Sequence, residues 1–168
     1  IYNELETYLP HSSNISIRMY EDELWPLYKL YSIEKEIDTA LSKKVWLKSG
    51  GYLIIEQTEA LSVIDVNSGK NVTKAKSMEA IEASALKTNL EAADKLCQQI
   101  KVRNLSGIII VDFINMNQTN SDILMEHLKS LAKKDIVSTT IVDITKLGLV
   151  EITRKKIGKS LSESLNKA

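Results

Sequence analysis

The sequence predicts an α/β domain, a mixed β-sheet flanked by helices in the order β-β-β-α-β-α-β-β after an N-terminal helical segment. Three observations carry that prediction. Short β-rich runs, VWLK, YLIIEQ and ALSVIDV, crowd into residues 45–66. A long stretch with apolar residues at helical spacing follows over residues 78–101. The β-branched run Ile108-Ile109-Ile110-Val111 then precedes a second helical stretch. Strand, helix, strand is the order that produces right-handed parallel crossovers.

Each element has a local reason. In residues 1–31, ISIRMY alternates like a short strand, and WPLYKLY is apolar and aromatic but broken by Pro26. In SIEKEIDTALSKK, Ile33, Ile37, Ala40 and Leu41 fall on one helical face, with Ser32 as the expected N-cap. Gly50-Gly51 separates VWLK from YLIIEQ, and Thr58-Glu59 makes the next two strands a hairpin. The segment NSGKNVTKAK is polar and reads as a loop. Ser77 caps the long helix, whose stripe Ile81, Ala85, Ala92, Leu96 and Ile100 adjoins a row of Leu86, Leu90, Ala93 and Cys97. Asn104 and Gly107 bracket a loop. The run in GIIIVDFINM reads as a strand buried on both faces. In NQTNSDILMEHLKSLAKK, Ile123, Leu124, His127, Leu128 and Leu131 form the inward side of a helix. STTIVDI and LGLVEIT are two further strands with a turn at residues 146–148, and KKIGKSLSESLNKA reads as a loosely held polar tail.

Composition sets the outer bounds. With 168 residues and 43% hydrophobic residues, a single domain with a real core is expected. The 22 basic and 22 acidic residues cancel, so net charge argues neither for nor against nucleic acid. One cysteine, Cys97, excludes an internal disulfide and a thiolate zinc site within these residues. A reducing, cytoplasmic setting fits it. No run of about 18 apolar residues exists to span a membrane. The polar start IYNELETYLPHSSN, without an initiator Met, reads as the interior of a longer chain.

The chemistry concentrates at two strand ends. VIDVN and IVDFIN each stop a β-rich run on an aspartate just before a helical crossover. If these strands are parallel neighbours, Asp65 and Asp112 lie about 4.8 Å apart at the carboxyl edge, where open α/β sheets bind ligands. Asn67 is placed to orient a ligating carboxylate. An all-oxygen set suits Mg²⁺, or Mn²⁺, which takes one or two carboxylates and leaves the rest to water and phosphate. The alternative stays open on spacing alone: Asp65 capping a turn and Asp112 capping the next helix.

Lys70, Lys74 and Lys76 in the loop after Gly69, and Arg154 and Lys155 in a basic run, are candidates for holding neighbouring phosphates. A solvated face is the other reading of that run. Phe113 is a candidate for stacking on a base, or for core packing. Cys97 reads as a small apolar filler. Ser49 and Ser68 have no visible base, which argues against a nucleophilic serine.

The ordered set VWLKSGGYLIIEQTEALSVIDVNSGK, TNLEAADKL, GIIIVDFINM and LGLVEITRKKIGKSL resembles the catalytic region of the ribonuclease E/G family, from about residue 33 to residue 161. The resemblance implies a Mg²⁺-dependent endoribonuclease that cuts single-stranded RNA in RNA processing and decay and leaves a 5′-phosphate downstream. It implies that Asp65 and Asp112 hold the metal and that Asn67 supports Asp112. It maps residues 1–44 to the tail of a ribonuclease H-like subdomain, residues 45–160 to a deoxyribonuclease I-like subdomain bearing the metal, and residues 161–168 to a polar tail. Two positions depart from the pattern. Asn115 replaces a second acidic residue of the family motif, and Ser138-Thr139-Thr140 lacks the basic residues that line the family's pocket for an RNA 5′-monophosphate. The family's oligonucleotide-binding-fold domain and the CxxC zinc link that joins its subunits are expected elsewhere in a longer, homo-oligomeric chain. A non-catalytic RNA-binding or scaffolding module on the same fold is the competing expectation.

Overall fold

A computed structural model describes residues 17–69 and 77–166. Two compact units divide the chain, residues 1–39 and residues 40–168. In chain order the described elements are α1 (Leu27–Leu30), α2 (Ile33–Leu41), β1 (Lys44–Trp46), β2 (Tyr52–Gln57), β3 (Leu61–Asn67), α3 (Met78–Arg103), β4 (Gly107–Asp112), α4 (Gln118–Ala132), β5 (Thr139–Ile144), β6 (Val150–Arg154) and α5 (Leu161–Ser164). From β1 to β6 the expected order is the observed one, and α5 is an addition to it.

The strands form one six-stranded mixed sheet, ordered β1-β2-β3-β4-β6-β5. Only β3 and β4 pair in parallel; the remaining neighbours are antiparallel. The β2–β3 connection is the expected hairpin, closed by the Leu61 carbonyl accepting from the Thr58 amide at 2.9 Å. The 26 residues of α3 carry the chain back for the parallel crossover. Ser77 caps its start, its side chain accepting from the Ala80 amide at 3.2 Å. Its end is turned by Asn104 at φ 49°.

Alternation along each strand sorts side chains to two faces. Val45, Leu53, Ile64, Val66, Ile109, Val111 and Ile152 enter a single core cluster with Ala92, Leu96 and Ile100 of α3 and Leu124 and Leu128 of α4. Among the described residues of the unit 40–168 the opposite face is open: Trp46 is 61% exposed and Ile108 50%. This corrects the expectation that Ile108-Ile109-Ile110-Val111 is buried on both faces. A β-branched run reports strand preference, and here only Ile109 and Val111 face the helices.

Four smaller expectations change. Residues 17–20 of the ISIRMY stretch form no strand. Ser32 sits at φ 50°, not in the extended conformation of an N-cap. In α4, Ile123 is exposed, and the buried residues are Leu124, Met125, Leu128 and Ala132. The tail is anchored, with Ser160 buried and joined to Glu163 in a capping box at the start of α5.

Candidate metal centre

The parallel register pairs Asp65 of β3 directly with Asp112 of β4. Asp112 is the last residue of β4, and Asp65 lies one outward position before Asn67, the last residue of β3. Both acids are exposed, between buried neighbours Ile64 and Val66 on one strand and Val111 and Phe113 on the other. In-register residues on adjacent strands lie about 4.8 Å apart and project to the same face. The two carboxylates therefore share the open face at the carboxyl edge of the sheet. The Asn67 amide donates to Asp65 Oδ2 at 2.6 Å. Of the two acids, Asn67 thus holds Asp65, not Asp112. The capping alternative for Asp112 fails, because α4 is capped by Asn117, whose side chain accepts from the Asn120 amide at 2.9 Å.

Among the described residues no cluster of three or more His, Cys, Asp or Glu side chains is placed to hold a metal. Two carboxylates on an exposed face fit a hexacoordinate Mg²⁺ or Mn²⁺ that keeps several waters and accepts a phosphate oxygen. They do not fit zinc, which favours nitrogen and sulfur ligands in a closed tetrahedron.

Helix α3 supports this edge with three polar side chains that the sequence reading passed over. Asn89, fully buried, donates to the Ile114 carbonyl at 2.7 Å and accepts from the Ile114 amide at 3.1 Å. That pins the backbone two residues after Asp112. Glu82 accepts from the Asn117 amide at 3.1 Å and from the Asn120 side chain at 2.9 Å. Glu91 accepts from the amides of Lys48 and Ser49 in the β1–β2 loop. Burial raises the Glu91 pKa, but hydrogen bonds from the Ser49 side chain and from these two amides outweigh it and hold the carboxyl below its usual value. The signal was visible: Asn89 interrupts an apolar stripe in a position that Ala85 and Ala92 otherwise fill with methyl groups.

The same β1–β2 loop buttresses Asn67. A Cβ at Gly51 would lie 2.6 Å from the Asn67 carbonyl oxygen, and one at Gly69 would collide with the Gly50 carbonyl. Gly51→Ala is therefore expected to displace Asn67 and cost about 1–3 kcal/mol. Thermal denaturation checks the stability loss. Asn89→Ala strips both partners from a part-buried backbone amide and carbonyl. It is expected to cost about 2–4 kcal/mol by urea denaturation and to loosen the segment carrying Asp112.

The candidate phosphate contacts separate. Lys70, Lys74 and Lys76 lie outside the described residues. Phe113 is 6% exposed and belongs to the core, so it is not placed to stack on a base. Arg154 is likewise buried, at 5%. Its guanidinium donates to Asp135 Oδ2 at 2.9 Å, Asn104 Oδ1 at 2.9 Å and the Leu105 carbonyl at 3.0 Å. This corrects its assignment to RNA: strand alternation turned it inward, where it ties β6 to two loops. Lys155 is exposed, but it lies five residues past Val150, the register partner of Val111. That puts it about 20 Å along the strands from Asp112, at the opposite edge. Lys146, in the β5–β6 turn, is an exposed lysine at the carboxylate edge. Cys97 packs partly buried, and burial pushes its thiol up to about 11, leaving it inert. His127 is half-buried and bonded to Asp94 at 2.9 Å.

Known proteins resemble this chain closely. A family model described as the ribonuclease E/G family matches residues 1–157. The chain is 43% identical over 141 residues to "Ribonuclease G" of Salmonella typhimurium (strain SL1344), covering 83% of the chain and 28% of that protein. It is 44% identical over 138 residues to "Ribonuclease E" of Synechocystis sp. (strain ATCC 27184 / PCC 6803 / Kazusa), covering 82% and 20%. It is 38% identical over 149 residues to "Ribonuclease E" of Buchnera aphidicola subsp. Schizaphis graminum (strain Sg), covering 88% and 15%. The chain thus spans between 15% and 28% of the length of these relatives.

Proposed function

We propose that this chain, which belongs to the ribonuclease E/G family, bears the metal site of an endoribonuclease that hydrolyses single-stranded RNA with Mg²⁺, or Mn²⁺ in its place. The observation that carries this reading is the in-register placement of Asp65 and Asp112 on one exposed face. Asp65 and Asp112 would hold the ion, and Asn67 would fix the orientation of the Asp65 carboxylate. The bound ion supplies charge stabilisation at the phosphate and acidifies the attacking water. The remaining work belongs to the chain. The open face would admit an extended strand of RNA, and among the described residues of the unit 40–168 no helix covers the two carboxylates. Asn89 and Glu91 hold the loops on either side of the pair, so little reorganisation is needed when charge develops.

In the cell this activity would serve RNA processing and decay in the cytoplasm. It would work with an oligonucleotide-binding-fold domain elsewhere in a homo-oligomeric protein. Among the described residues no helix is long and apolar enough to cross a membrane.

The test is incubation of the purified protein with an end-labelled single-stranded RNA, with and without Mg²⁺. Internal cleavage that requires the cation and leaves a 5′-phosphate on the downstream fragment supports the proposal. RNA binding with no cleavage at any divalent concentration would overturn it in favour of the scaffolding module.

A further inference from the structure

Beside the two carboxylates, on the same open face, lies an aromatic pair that the metal chemistry does not use. Trp46 of β1 and Tyr52 of β2 are register partners, and Tyr52 is in turn the register partner of Asn67 on β3. The three therefore form one row across the sheet, and Tyr52 sits about 8 Å from Asp65, one strand over and two residues along. The rings meet edge to face, centroids 5.3 Å apart at 66°. The Lys44 ammonium, on the same face of β1, lies 4.0 Å from the Trp46 centroid and 3.6 Å from that of Tyr52.

A tryptophan 61% exposed is unusual for a side chain with so much apolar area. Here the ring is also preorganised by a neighbour and a cation, so little freedom remains to be lost on binding. We propose that Trp46 and Tyr52 form a stacking platform for a base of single-stranded RNA whose scissile phosphate lies at Asp65 and Asp112, with the Lys44 ammonium meeting the adjoining phosphate. The proposal rests on the nuclease reading above and adds to it the place where the strand is gripped. Base–aromatic stacking tolerates any base, since each has a π-face, so the platform favours unpaired RNA over duplex without selecting a sequence.

The chain has two tryptophans, so Trp25→Phe leaves Trp46 as the sole indole reporter. In that background, with EDTA present to prevent cleavage, a single-stranded oligouridine is expected to quench the emission saturably, and a duplex of equal length to leave it unchanged. By anisotropy of an end-labelled oligouridine, Trp46→Ala and Tyr52→Ala are each expected to weaken binding roughly ten-fold, while Trp46→Phe retains most of it. In cleavage assays with Mg²⁺ the loss appears in KM and is recovered at saturating RNA. Circular dichroism verifies that the variants are folded. If the wild type binds and cleaves RNA while Trp46→Ala does both equally well, or if the oligouridine binds without altering the emission, the platform is refuted and the nuclease reading survives. If the wild type neither binds nor cleaves, both fall together.

Discussion

Asp65→Asn and Asp112→Asn are each expected to lower divalent-dependent cleavage of single-stranded RNA about a thousand-fold or more. The loss follows from removing several kcal/mol of charge stabilisation at the phosphate, at about 1.4 kcal/mol per decade of rate. Both side chains are exposed on the open face, so both variants should keep their stability within about 0.5 kcal/mol. Inactivity therefore cannot be attributed to unfolding, and urea denaturation run beside the cleavage assay makes that distinction. If the two carboxylates act on one ion, as proposed, the double variant should be little worse than either single one. Two independent losses that multiply would mean that the acids do separate jobs.

Arg154→Ala should have the largest effect on stability, about 3–5 kcal/mol, because it leaves the Asp135 carboxylate charged and unpaired in the interior. The side chains of Arg154 and Asp135 are 3% and 7% exposed. The loss would take up much of the 5–15 kcal/mol typical of a domain. The pH dependence follows from the same pair. Burial raises the Asp135 pKa, but the Arg154 guanidinium, the Val137 amide and the Thr139 hydroxyl outweigh it and hold the carboxyl below its ordinary value. A carboxyl whose folded value is depressed contributes stability that is fully present above its unfolded value, about 3.9, and drains away as pH falls through the lower folded value. Thermal melts between neutral pH and about pH 3 should show this decline in the wild type, and it should shrink in Asp135→Asn. Loss of RNA binding in Arg154→Ala at a temperature where it is unfolded would say nothing about RNA contact, since the guanidinium faces the interior.

The contrast between Asp112 and Arg154 shows what a sequence can and cannot reveal. The order of strands and helices from residue 45 onward was legible because strand and helix periods differ and because Gly50-Gly51, Ser77 and Gly107 punctuate them. The in-register placement of Asp65 and Asp112 was legible because each acid lies at or near the end of a β-rich run before a crossover, which places both at the same edge once the strands are parallel. Direction within a strand was harder. Arg154 and Lys155 are chain neighbours, and a one-residue step decides which of them enters the core. For the same reason Phe113, one residue past Asp112, takes the core-packing reading and not the stacking one. The single-sided burial of β4 was hidden because Ile108 and Ile110 are as apolar as Ile109 and Val111. Asn89 and Glu91 act through backbone groups 25 and 43 residues away, distances that no periodicity encodes.

The most direct measurement is anomalous diffraction from crystals of the protein soaked in Mn²⁺. A single peak about 2.1 Å from a carboxylate oxygen of Asp65 and from one of Asp112, lost in crystals of Asp65→Asn, is the result expected here. A peak that touches one aspartate without the other, a peak elsewhere, or none at all would mean that these two side chains do not grip one ion.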